Sequence, residues 1–238
     1  TQRRTATHEN SNRAQKIGRY LIATVHNARI FARECSLEYM RECSQHLRRD
    51  VVMQIMYVCT GNQCRSVMAE YYTRAKLADR GIGLQNDNIT VRSAGTLHYP
   101  PHPADPMVID LLKNDGIDAN SHSSTPLTTD ISRQADLILC FEREQISDLL
   151  EQNPLAIRKV FLFNDFVNAC KHMHAEGPIA GDTAADKLIE IMDCVPMLRP
   201  FLPTALETED PHRQSREVFE RVYAEIKHGV DIMLGAVA

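Results

Sequence analysis

Four short apolar runs separated by stretches long enough for crossover helices constrain the fold more than any other feature of this chain. Their spacing predicts strands over Val51–Val58, Ile89–Arg92, Asp136–Cys140 and Lys159–Phe163. Between them it predicts helices over Ser66–Arg80, Ala104–Asn114 and Arg143–Gln152. Strands that alternate with helices form a parallel sheet, because parallel neighbours cannot be joined by a tight turn and the crossover must travel over a face. The expected fold class is α/β: a doubly wound four-stranded parallel sheet with helices on both faces. Residues 164–205 are less regular. Within them a helix is expected to start near Asp182, and "PMLRPFLP" reads as a Pro-punctuated connection. A last helix is expected over Gln214–Leu234, where Val218, Val222, Ile226 and Ile232 share one stripe.

The first fifty residues are a different kind of sequence. They hold 10 Lys/Arg against 5 Asp/Glu, whereas the remainder holds 17 against 26. Two domains are therefore expected: residues 1–50, a basic N-terminal extension that is partly disordered and partly helical, and residues 51–238, the catalytic domain. Met53 reads as a natural beginning for that domain, so the preceding segment is taken as an accessory. Its apolar residues from Ile17 to Leu47 recur at helical spacing, which suits a helix docked on its own domain or on a second copy, and a homodimer is left open. The seven cysteines are odd in number and scattered in a long aliphatic chain, which favours reduced thiols over a disulfide framework. No apolar run reaches the roughly 18–20 residues of a membrane span, and the chain is read as cytoplasmic. No cysteine or histidine pairs stand at metal-site spacing, so no metal and no cofactor are expected. The acidic catalytic portion gives no support for nucleic-acid binding.

The peptide that leaves the first strand is "CTGNQCRS", residues 59–66. In a doubly wound sheet, ligands gather at the carboxyl ends of the strands, and this loop lies there, just before a helix. Backbone N–H groups of Thr60, Gly61, Asn62, Gln63, Cys64, Arg65 and Ser66 can curl around one point, to which the helix N-terminus adds partial positive charge. Such a cradle favours an anion, either a thiolate or a tetrahedral oxyanion. Gly61 permits unusual backbone angles and Asn62 tolerates the left-handed region. Arg65 offers a planar fork for two oxygens of a phosphoryl group. Ser66 can donate a hydrogen bond to Cys59. The string therefore describes a phosphate-binding loop with a nucleophile, Cys59, at its floor. Such chemistry needs a proton carrier, and Asp210 in "EDPHR", before the last helix, is the candidate.

These residues resemble the low-molecular-weight protein tyrosine phosphatases, whose fold is shared by thioredoxin-coupled arsenate reductases. The resemblance rests on "VCTGNQCRS", "VRSAGT", "DGIDANSHSS", "ADLILCFE" and "EDP", and runs from about Met53 to the C-terminus. It implies that Cys59 is the nucleophile, Arg65 the phosphate clamp and Asp210 the general acid and base. It further implies that Asn62, Ser66, Ser93 and His122 hold the loop by hydrogen bonds, and that Cys64 can form a reversible disulfide with Cys59. The implied substrate is a phosphotyrosine protein.

Three departures stand out. Val67 occupies the place where the family usually has proline. His212 and Arg213 follow Asp210-Pro211 where the family usually places an aromatic residue, and the segment before "EDP" is longer than usual. His98 and Tyr99, after "SAGT", are candidates for part of the substrate wall. The alternative is an arsenate reductase using the same anion-binding loop: the thioredoxin-coupled kind would need two further, closely spaced cysteines near the third strand, where Cys140 has no neighbour, but one that borrows a small-molecule thiol would need Cys59 alone. A phosphate-binding regulator without turnover would be expected to lack one of the three catalytic groups.

Overall fold

The computed structural model describes residues 52–81 and 89–238. The expectations for residues 1–50 lie outside these. Strands β1 (Met53–Cys59), β2 (Ile89–Gly95), β3 (Leu137–Cys140) and β4 (Val160–Leu162) form one sheet in the order β2-β1-β3-β4. Every pairing is parallel. Around them lie helices α1 (Arg65–Asp79), α2 (Pro106–Asn114), α3 (Thr129–Gln134), α4 (Arg143–Gln152), α5 (Phe163–Glu176), α6 (Ala184–Leu198) and α7 (Arg216–Ala236). Short 3-10 turns occupy Pro154–Arg158 and Arg199–Phe201.

The two-residue period of a strand divides the core. Met53, Ile55, Tyr57 and Cys59 of β1, with Leu137 and Leu139 of β3, point into the larger cluster beneath α1, α2, α5, α6 and α7. Met56, Val58, Ile138 and Cys140 point the other way, against Leu149 of α4 and Ile131 of α3. Helices thus cover both faces. Burial on both sides is why "MQIMYVC" and "LILC" read as unbroken apolar runs.

Several boundaries differ from the sequence expectation. β2 continues through Ser93 and Ala94 to Gly95, because each pairs with β1 up to Cys59↔Gly95. α1 starts at Arg65, one residue early, with Val67 fully buried inside its first turn. β4 stops at Leu162, and Phe163 opens α5, a helix the sequence reading did not resolve. The expected helix near Asp182 starts at Ala184, capped by the Thr183 side chain on Asp186 N. It continues through Pro196 to Leu198 rather than ending at "PMLRPFLP". A proline in the last turn removes one donor and leaves the preceding turns intact.

The sheet order makes β1 the switch point. The chain passes from β1 to β2 on one side and later to β3 on the other, which opens a crevice at the carboxyl end of β1. Cys59 is the last residue of that strand, 3% exposed.

Candidate active site

Between Cys59 and α1 the carbonyl groups of the loop are tethered outward one after another. Thr96 N donates to Cys59 O, Leu97 N to Thr60 O and Asp105 N to Gln63 O, each at 3.0 Å. Tyr99 Oη donates to Gly61 O at 2.5 Å, His122 Nε2 lies 2.9 Å from Asn62 O, and Met68 N reaches Cys64 O at 3.0 Å. In a planar trans peptide the next N–H points opposite to the carbonyl, so outward carbonyls from residues 59–64 turn the N–H groups of residues 60–65 inward. Helix α1 begins directly behind, with no side-chain cap and no acidic residue in its first turn. The positive end of the helix is therefore left facing the same centre.

Asn62 holds the bend. Its φ is 50°, in the left-handed region. Its Oδ1 accepts from Thr125 N at 2.8 Å, while Nδ2 donates to Ser66 Oγ at 2.9 Å and Ser93 Oγ at 2.7 Å. The donor directions follow from the ends of this chain. Ser93 Oγ donates to the Glu70 carboxylate at 2.5 Å, so it accepts from Asn62. Ser66 also accepts from Asn62, which leaves its hydroxyl proton for Cys59 Sγ, 3.0 Å away. Four of the residues expected to support the loop, Asn62, Ser66, Ser93 and His122, are thus joined in one network. Glu70 terminates it, buried on α1 and paired with Arg74.

Arg65 is 1% exposed and surrounded by acceptors. Nη1 lies 3.1 Å from Glu142 Oε1 and donates to Thr208 O at 2.9 Å. Nη2 reaches Glu142 Oε2 and Asp210 Oδ2, both at 3.2 Å. Burial works against the guanidinium charge, but Cys59, Glu142 and Asp210 outweigh it and raise its pKa. Its Nε is the one fully buried side-chain nitrogen or oxygen among the described residues without a hydrogen-bond partner. That donor is suited to an oxygen of an anion held in the loop.

Asp210 reaches the loop because the end of the long connecting segment is pinned. Thr208 N donates to Phe141 O at 3.1 Å and Thr208 Oγ1 to Glu225 Oε1 at 2.8 Å. The turn beyond is tight: His212 N donates to Asp210 Oδ1 at 3.2 Å, and Arg213 has φ 60°. Cys59, Arg65 and Asp210 line one pocket of about 470 Å³, whose upper wall includes Leu97, Tyr99, His102, His212 and Arg213. Of the two wall candidates after "SAGT", Tyr99 lines the pocket, whereas His98 turns away to Leu127 O at 2.9 Å. A larger cavity of about 700 Å³, bordered by Glu70, Arg92, Ser93 and His122, has neither Cys59 nor Asp210 among its walls.

Sequence reasoning missed Glu142 and Thr208, which orient Arg65, and Gln145, which ties Thr60 Oγ1 to Glu142. Only the capping box at the start of α4, with Glu142 and Gln145 three residues apart, marks two of them. Cys140 is fully buried in β3, and burial above all pushes its thiol pKa up. Cys170 is likewise buried in α5 with its thiol pKa raised.

A doubly wound sheet that presents a cysteine thiol on the floor of a backbone anion cradle, with a guanidinium and a carboxylate beside it, defines a cysteine-based phosphatase. Residues 54–195 match the family model for low molecular weight phosphotyrosine protein phosphatases, and the chain belongs to that family. It is 28% identical over 169 residues, 71% of this chain and 84% of the relative, to the low molecular weight protein-tyrosine-phosphatase Etp of Escherichia coli K12. It is 33% identical over 129 residues, 54% of this chain and 81% of the relative, to a protein-arginine-phosphatase of Bacillus subtilis. Among solved structures, that of a YwlE mutant from B. subtilis superposes with a TM-score of 0.58 at 23% identity, covering 77% of this chain and 97% of that one. No helix among the described residues is long and apolar enough to cross a membrane. The family match ends at Val195, before Asp210, so the case for Asp210 is geometric.

Proposed function

We propose that this chain dephosphorylates phosphotyrosine on proteins through a phosphocysteine intermediate on Cys59. The observation that carries this reading is the convergence on one point of Cys59 Sγ, the inward N–H groups and Arg65, with Asp210 3.2 Å from Arg65. The phosphoryl group enters with its non-bridging oxygens on the N–H groups of residues 60–65 and on the Arg65 guanidinium, which also stabilise the charge spread over those oxygens in the transition state. The Cys59 thiolate forms the S–P bond as the bond to the leaving oxygen breaks, and Asp210 gives that oxygen its proton. Water then attacks phosphorus and passes a proton to the Asp210 carboxylate. The S–P bond breaks and the thiolate is restored, steadied by the Ser66 hydroxyl.

The E. coli relative's name supports a tyrosine substrate, and the B. subtilis relative's name makes phosphoarginine the competitor to test. Tyr99 and His102, in edge contact at 4.9 Å between ring centres, supply an aromatic face where His212 and Arg213 do not. The decisive experiment is hydrolysis of a small aryl phosphate by the full chain with excess chelator, comparing wild type, Cys59→Ser and Asp210→Asn. Turnover should vanish in Cys59→Ser and fall by roughly a hundredfold in Asp210→Asn. Matched phosphotyrosine and phosphoarginine peptides then read the substrate class, and faster release from phosphoarginine would refute the tyrosine assignment.

A further inference from the structure

Three potential metal donors from distant parts of the chain meet beside the pocket, with Cys64 and His212 among its walls: the Cys64 sulfur, an Asp105 carboxylate oxygen and a His212 ring nitrogen, all within 4.8 Å of one another. Each comes from a different local structure. Cys64 is the residue before α1 and is 5% exposed. Asp105 caps α2, accepting from Met107 N at 2.9 Å through Oδ1. His212 belongs to the turn that carries Asp210. Neither the Cys64 sulfur nor the His212 ring has a hydrogen-bond partner among the described residues.

We propose that Cys64, Asp105 and His212 form a binding site for a divalent cation of the zinc class, and that the bound ion reversibly shuts the phosphatase pocket. The donor set selects the ion. Thiolate, imidazole and one carboxylate suit zinc, whereas magnesium and calcium prefer oxygen alone. Tetrahedral zinc, with Zn–S of about 2.3 Å and Zn–N of about 2.0–2.1 Å, spaces its donors about 3.5 Å apart. The triangle therefore closes with a movement of about an ångström, which the exposed His212 can supply. A solvent molecule takes the fourth position.

The local charge favours such an ion. Arg65 is engaged by Glu142 and Asp210. On binding, Cys64 gives its proton to solvent and the sulfur bonds to the metal. The consequence for turnover rests on the phosphatase reading; the binding does not. Cys64 is part of the cradle and His212 sits two residues from Asp210, so an ion joining them draws that turn onto the loop and blocks entry of the phosphoryl group.

Sequence spacing hides the site because its members are 41 and 107 residues apart, far outside any metal-motif interval. The test uses the full chain titrated with cobalt(II), a spectroscopic substitute for zinc, and needs no activity. A thiolate-to-cobalt charge-transfer band should appear in wild type and in Cys59→Ser and be absent from Cys64→Ser. His212→Ala and Asp105→Asn should each weaken binding at least tenfold, and the asparagine keeps the helix-cap acceptor. In the paired activity assay, the zinc concentration for half inhibition should rise at least tenfold in His212→Ala relative to wild type. A band that survives in Cys64→Ser or is lost in Cys59→Ser would overturn the site. Equal zinc sensitivity of His212→Ala and wild type would overturn the closure.

Discussion

Gly95 is the glycine whose side-chain hydrogen matters most to the site. A methyl group placed there would lie 2.8 Å from Thr60 O, 2.9 Å from Asn62 N and 3.0 Å from Gly61 C. All three neighbours are backbone atoms of the phosphate loop, so no flexible side chain can move aside. Relief to ordinary contact at 3.4 Å requires about 0.6 Å of separation. Gly95 cannot supply it cheaply, being held by Gly95 N to Thr125 O at 2.9 Å, by Leu127 N to Gly95 O at 2.7 Å and by pairing with Cys59. The loop must yield, and its donors lose their common focus. A misplacement of about 1 Å costs on the order of a hundredfold in rate, so Gly95→Ala is expected to lower kcat/KM by roughly 10- to 100-fold. Overpacking should also cost about 1–3 kcal/mol of stability. Gly116→Ala is the control: its φ of +76° strains alanine while nothing lies within 4 Å, so about 1 kcal/mol of stability is lost with kcat/KM unchanged. Aryl phosphate kinetics, inhibition by inorganic phosphate and urea unfolding on both variants separate the two effects. Gly95→Ala with kcat/KM and phosphate inhibition within twofold of wild type would refute the argument, as would a loss explained wholly by unfolded protein.

Other perturbations probe the supports. Glu142→Gln leaves Arg65 buried with less compensation and should cost about 1–3 kcal/mol, and phosphate should then raise Tm more in the variant than in wild type; an equal or smaller shift would contradict this role. Burial disfavours the Asp115 carboxylate, but hydrogen bonds from Lys227 and Tyr223 prevail and hold its pKa below 3.8. Its contribution is therefore full above that value and is lost as pH falls through the folded pKa, so the stability gap between wild type and Asp115→Asn should close in acid. Denaturant unfolding across pH checks this, a constant gap being the contrary result. Within α7, Gly229→Ala would meet Phe163 Cζ at 2.6 Å and should destabilise by about 1–3 kcal/mol, whereas Gly235→Ala meets nothing within 4 Å and should stabilise by up to about 1 kcal/mol. Melting of the two single variants should move in opposite directions.

What could be read from residues alone followed from how local its cause is. β1, the loop and α1 were legible because a doubly buried strand is an unbroken apolar run and the loop's residue types are contiguous. α4 was legible to the residue, with polar flanks and its own capping box. α5 was not, because β4 is only three residues long and passes into the helix at Phe163 with no side-chain cap to mark the change. α3, at six residues, is too short for a helical period to show; its sign is the Thr128 side chain accepting from Ile131 N. The site divides the same way. Cys59, Asn62, Arg65 and Ser66 announce themselves by adjacency. Glu142, Thr208 and the partners of the loop carbonyls act across tens of residues, through a fold that brings them together.

The cradle has one more consequence. Its donors are main-chain groups that every residue type possesses, and its tethers are mostly main-chain too. The anchor for phosphate thus depends little on the side chains around its rim, and Gln63, His212 and Arg213 can be exchanged above it without disturbing the reaction centre, whereas Tyr99 also tethers Gly61 O. Such an architecture separates inheritance into two rates: a chemistry that stays fixed, and a choice of substrate that is free to drift.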